Sequence, residues 1–207
     1  MTFFKPWVGK YYFRKELFPK KIMVLGESHY CASGCSDCGI ANQHPECSNF
    51  TKNVIGWYLD HSVEREGWMN TYLKFERSLI GRETTIEDSY QIWHSLVFYN
   101  YLQIAMHGPR KSGTNTEYYD ASTTFYETLK NNRPDILIVW GVRLWNYLPN
   151  IGWKEGAQIE IEGYQVLNGY YYLPDGYVVR AIGVYHPSVG YDWGFWHKVI
   201  RRFFEEH

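Results

Sequence analysis

The chain has 207 residues, 45% of them hydrophobic and 19% aromatic, and a formal net charge of −1 at pH 7. Such a length suits one domain that buries roughly 70% of the surface its unfolded chain exposes, so no staple is needed for folding. The near-neutral charge excludes a global positive field drawing the protein onto nucleic acid, and no run approaches the 18 apolar residues of a membrane helix.

Residues 1–7 hold too short an apolar run for a signal peptide and lack a small-residue cleavage site, so the expected compartment is the cytoplasm. The run Ile22-Met23-Val24-Leu25-Gly26, behind the basic pair Lys20-Lys21, predicts a buried parallel strand that ends in a loop. The basic pairs Arg110-Lys111 and Arg201-Arg202 read, like Lys20-Lys21, as solvated faces, though a small basic patch suffices for a substrate held briefly. Residues 27–53 carry all four cysteines and are too long for a bare connector.

Two helices are expected next. One covers residues 67–79, with Trp68, Tyr72, Phe75 and Leu79 on one face; the other starts near Thr85, where Thr85 and Asp88 resemble a capping box. The run Leu96-Val97-Phe98-Tyr99 before Asn100 reads equally as a short strand or as the end of that helix. Residues 108–116 read as a loop, residues 122–131 as a helix, and Ile136-Leu137-Ile138-Val139-Trp140-Gly141 as a second apolar strand ending in glycine. A short helix over 142–147 stops before Pro149, and residues 157–173 suggest a hairpin or meander. Residues 178–184 form the last strand, which feeds Tyr185-His186-Pro187-Ser188. A helix from Phe195 closes the chain and is expected to bury at least one of Trp193 and Trp196.

Strands interleaved with helices predict an α/β fold: a three-layer α/β/α domain around a central, mostly parallel four-stranded sheet. Ligands of such sheets bind beyond the carboxyl ends of the strands. The loops after Leu25, Val139 and Val184 should therefore share one rim.

Gly26-Glu27-Ser28-His29-Tyr30 after the first strand and His186-Pro187-Ser188 after the last resemble the two motifs of the uracil-DNA glycosylase superfamily. The segments Phe98-Tyr99-Asn100 and Pro134 to Gly141 are similar to its intervening features, in the same order, so that the resemblance spans about residues 20–190. It implies one glycosylase-like domain over residues 1–207 with a cysteine-rich loop insertion at about 31–53. It also implies a hydrolase that removes a deaminated or damaged, uracil-type base from DNA in base-excision repair. His186 would donate to the base oxygen as it becomes anionic, Asn100 would pair with the base edge, and Tyr30 would shape the pocket floor. Gly26 and the amides around Glu27 and Ser28 would contact base or phosphate, and Ser188 would bind a phosphate. The chain departs from the motif at Ser28, where some members carry Asp, and at His29, which replaces Pro. Glu27, His29 and His186 then become candidates for acid–base work or metal binding. The alternatives are a non-catalytic nucleotide or nucleic-acid binding module of the same fold and a metal-dependent hydrolase.

Cys31, Cys35, Cys38 and Cys47 cluster within 17 residues. In a reducing compartment this favours a metal over disulfides, and four close thiolates suit structural zinc, with His44 in reserve. An iron–sulfur cluster, radical chemistry and thiols without metal are the other readings.

Overall fold

The computed structural model describes residues 3–31, 45–106, 108, 111–188 and 190–205. In chain order the strands and helices are β1 (Trp7–Val8), β2 (Ile22–Gly26), β3 (His29–Tyr30), a 3₁₀ turn (Pro45–Asn49), α1 (Phe50–Leu59), α2 (Met69–Ile80), α3 (Ile86–His94), β4 (Leu96–Asn100) and β5 (Ala105–Met106). They continue with α4 (Asn115–Asn132), β6 (Ile136–Trp140), α5 (Val142–Tyr147), β7 (Trp153–Glu155), β8 (Glu160–Ile161), β9 (Tyr164–Gln165), β10 (Asn168–Tyr172), β11 (Val178–Val184) and α6 (Trp193–Glu205). None of the described helices is long and apolar enough to cross a membrane.

The main sheet has seven strands in the order β1-β4-β2-β6-β11-β10-β7, which corrects the expected four. The inner four, β4, β2, β6 and β11, are mutually parallel. The extra strands add antiparallel to both flanks: β1 on β4, then β10 and β7 beyond β11. β1 and β7 escaped the sequence pattern because they have two and three residues, too few to show a period, whereas β10 lies in the expected hairpin or meander. Short outer strands of this kind also leave little unpaired edge for another chain to join.

Every residue of β2, β4 and β6 is buried, because both faces of the sheet are covered. Alternation along each strand divides its side chains between two cores. Ile22, Val24, Phe98, Ile138 and Ile182 pack with α1, α2, α3 and α6. Met23, Leu25, Val97, Leu137 and Val139 face α4 and α5 on the other side. The ambiguity over residues 96–99 is resolved as strand, and its cause is this two-sided burial, which erases any period. In α6, Trp196, Val199, Ile200 and Phe203 follow helical spacing and are all buried, so Trp196 belongs to the core.

The capping box at Thr85 and Asp88 is present. A second one, Thr114 with Glu117, starts α4 well before the expected residue 122. The hairpin expected within 157–173 forms as β8–β9, followed by β10. Residues 27–53, too long for a bare connector, carry structure of their own: β3, the 3₁₀ turn and the start of α1.

Candidate functional site

The strand register sets the rim. Gly26 pairs with Asn100, Leu25 with Val139, and Val184 with Trp140, so the four parallel strands end level with one another. Glu27, Tyr101, Gly141 and Tyr185 are the first residues beyond those ends. The loops are laced together by backbone bonds: Tyr101 N donates to Gly26 O at 2.9 Å, Leu102 N to Glu27 O at 2.9 Å, and Gly141 N to Val184 O at 2.8 Å. Gly141 has a φ of 100°, a conformation open to glycine, and this turns the chain from β6 directly into α5.

His186 stands exposed on this rim, 6.0 Å from the Trp140 ring in an edge-on arrangement. Surrounding protein strips enough hydration from it to lower its pKa from the ordinary value. Glu27 opposes that shift and Arg143 adds to it. At neutral pH the imidazole is therefore uncharged, with one N–H to donate. The turn that carries it is braced at Ser188, whose N–H donates to His186 O at 2.7 Å and whose carbonyl accepts from Lys74 Nζ at 2.8 Å. Ser188 itself is exposed.

Glu27 has a firm set of partners. Arg143 grips its carboxylate in a two-pronged pair, Nη2 to Oε2 at 2.8 Å and Nε to Oε1 at 2.9 Å, and the Tyr118 hydroxyl donates to Oε1. Burial and the neighbouring carboxylate push the Tyr118 phenol up, so it remains a donor. Tyr118 in turn stacks on Tyr147, with ring centroids 3.9 Å apart. Among the described residues the Ser28 hydroxyl is buried and has no hydrogen-bond partner. Tyr30 is exposed beside it on β3.

His29 turns inward, away from the rim. Its ring stacks on Phe50 at 4.6 Å, meets Phe4 edge-on at 4.9 Å, and shares a hydrogen bond with Thr51 Oγ1 at 2.8 Å. Burial lowers its pKa to about 3. Asn100 Nδ2 lies 3.1 Å from Nδ1 and 3.2 Å from Nε2 of the same ring, so the buried amide is held from below by the histidine. The Asn100 Oδ1 lies over Gly26, where a Cβ would come within 2.2 Å of it. Glycine at 26 is thus required by the close approach of Asn100.

Gly26, Glu27, Ser28, Asn100, His186 and Ser188 accordingly share one rim, as the loop rule implies. Glu27, His29 and His186 do not converge, because Glu27 points to α4 and α5 while His29 points to α1. No three His, Cys, Asp or Glu side chains form a metal-binding group among the described residues. Cys31 and Cys47 are half-buried, while Cys35 and Cys38 lie outside the described residues, so half of the expected donor set is in view. Sequence reasoning missed Arg143, Tyr118 and Lys74. Arg143 follows Gly141 by two residues, so the rule that placed the other loops on the rim reaches it as well. Tyr118 and Lys74 carry no local signal, since each meets its partner through tertiary packing alone. Comparison of the chain with protein-family models and with curated proteins found no match.

Proposed function

We propose that the rim binds a base extruded from DNA and cleaves its N-glycosidic bond, as the resemblance to the uracil-DNA glycosylase superfamily implies. The observation that carries this reading is His186, exposed on the rim shared by Gly26 and Asn100. In such a reaction the C1′–N bond breaks with its electron pair leaving on the base, and water adds to C1′. His186 donates to the base oxygen as charge develops there, the role of an oxyanion donor. Asn100 meets the base edge through Oδ1, since Nδ2 faces His29. Tyr30 and the Glu27–Ser28 backbone flank the base, and Ser188 takes a phosphate. A structural zinc on Cys31, Cys35, Cys38 and Cys47 belongs to the same proposal, in the reducing cytoplasm where thiolates stay available.

A second reading, binding without cleavage, is favoured by the clamp on Glu27. The carboxylate of the first motif is already satisfied by Arg143 and Tyr118, leaving Ser28 as a weak substitute for a water-orienting acid. The geometry gives no support to metal-dependent hydrolysis through Glu27, His29 and His186.

The test is incubation with single- and double-stranded oligonucleotides bearing uracil, hypoxanthine or other lesions, followed by alkaline cleavage of abasic sites. Strand breaks are expected, slowed by about 2–4 kcal/mol in the barrier for His186→Ala. Binding of labelled oligonucleotide without product selects the second reading, and neither binding nor product overturns both.

A further inference from the structure

At the opposite ends of the same strands lies an open groove of about 410 Å³, lined by Lys20, Asp135, Tyr170, Tyr177, Val178 and Arg180. Five residues of strand, at about 3.3 Å each, separate it from the rim. The groove has the size of a small-molecule site. Its chemistry differs from that of the rim.

Positive charge is concentrated here in a protein whose overall charge is −1. Lys20 lines the groove, Lys15 Nζ reaches Asp135 at 3.1 Å, and Lys21 and Arg133 lie over the Tyr177 ring at 5.4 and 4.7 Å, while Arg180, also on its lining, turns its guanidinium onto the Phe203 ring at 4.3 Å and donates to Phe203 O at 2.7 Å. The carboxylates nearby are already engaged. Asp135 accepts from Lys21 N and from Tyr177 Oη, both at 2.7 Å, as well as from Lys15, and Asp175 pairs with Arg133 at 3.2 Å. Burial lowers the Lys21 pKa, and the charges of Lys15 and Arg133 push it the same way against Asp135.

Two further features mark the groove. Arg133 ends α4 in the left-handed conformation with φ of 45°, a place where glycine is the unstrained choice. The chain keeps an arginine there, and its guanidinium is laid on Tyr177. Tyr170, half-buried on β10, offers the groove an aromatic ring next to the exposed Tyr172.

We propose that this groove binds a nucleoside polyphosphate, with Lys20, Lys21 and Arg133 holding the phosphates and Tyr170 supporting the base. Cations on separate segments suit an anion with several charged groups better than a single carboxylate. Lysine point charges and a forked guanidinium are the usual partners of phosphate oxygens. An aromatic ring beside them accepts any base by its face. The proposal is independent of the function proposed for the rim.

Calorimetric titration of the full chain with ATP, pyrophosphate, adenosine and an unmodified thymidine oligonucleotide tests it. ATP is expected to bind, pyrophosphate to compete with it, and adenosine to bind at least about tenfold more weakly. Lys20→Glu and Arg133→Gly should each weaken ATP about tenfold or more. Arg133→Gly preserves the backbone conformation, so its loss of binding comes without a loss of melting temperature. His186→Ala should leave ATP binding unchanged. The proposal is overturned if ATP fails to bind at millimolar concentration, if both groove variants bind it normally, if His186→Ala abolishes binding, or if only the oligonucleotide binds.

Discussion

Replacing Gly26 by alanine tests the packing that holds Asn100 at the rim. The new Cβ would stand 2.2 Å from Asn100 Oδ1, well inside contact distance, with Phe98 Cζ the next neighbour at 3.3 Å. Asn100 is buried and its amide faces His29, so it cannot simply swing into solvent. Displacing it forfeits a hydrogen bond worth about 1 kcal/mol. Overpacking adds about 1–3 kcal/mol. The sum, about 2–4 kcal/mol, corresponds to a fall in melting temperature of about 5–15 °C for a domain of this size. Thermal and urea unfolding followed by circular dichroism read it directly. In an Asn100→Ala background the clash disappears and Gly26→Ala should cost less than about 1 kcal/mol, since only Phe98 must give. Equal cost in both backgrounds, or none in either, would refute the claim that Asn100 dictates glycine at 26.

His29 makes stability depend on pH. The unfolded ring gains its proton near pH 6.5, while the folded ring resists until about pH 3. The stabilisation is therefore complete above pH 6.5 and lost as the pH falls toward 3, by up to about 5 kcal/mol. His94, lowered to about 4 by burial, acts with the same sign. The urea midpoint should drop between pH 7 and 4.5, and His29→Gln should flatten that slope; a slope unchanged by the substitution assigns the effect elsewhere. At the rim, Glu27→Gln removes the charge that raises the His186 pKa, and Arg143→Ala removes the one that lowers it. Titration of the His186 ring by NMR should shift downward in the first variant and upward in the second, and movement in the same direction in both contradicts the clamp. Protein purified without chelator should carry about one zinc per chain, released with loss of stability by a strong chelator; protein with neither zinc nor iron ends the metal proposal.

The sequence makes the working ends of the sheet legible because glycine punctuates them. Gly26 and Gly141 each follow an unbroken apolar run, and both lie where the strand rule puts them. The outward placement of His186 follows from the Pro187-Ser188 turn after a strand. The inward placement of His29 does not, for it depends on Phe4, Phe50 and Thr51, residues distant in sequence that no local pattern connects. Glu27 illustrates the same limit: its neighbours in sequence suggest a free acid, whereas Tyr118 and Arg143 reach it from α4 and α5, distant in sequence. The start of α4 is hidden because Ser112 and Gly113 just before it and Asn115 at its first position read as loop, while the Thr114–Glu117 box that begins the helix is present in the sequence.

The position of β2 between β4 and β6 has a consequence for how the chain reaches this state. Ile22 takes its two neighbours from Leu96 and Ile136, so this inner strand is among the first to be made and must wait for both partners. Until β6 emerges, five consecutive apolar or small residues have no parallel ladder on one side. Closing such long loops before any contact rewards them makes parallel sheets slow to form. Folding of this domain should therefore be governed by when β6 docks beside β2, and a chain truncated before residue 136 would expose its most apolar strand to aggregation.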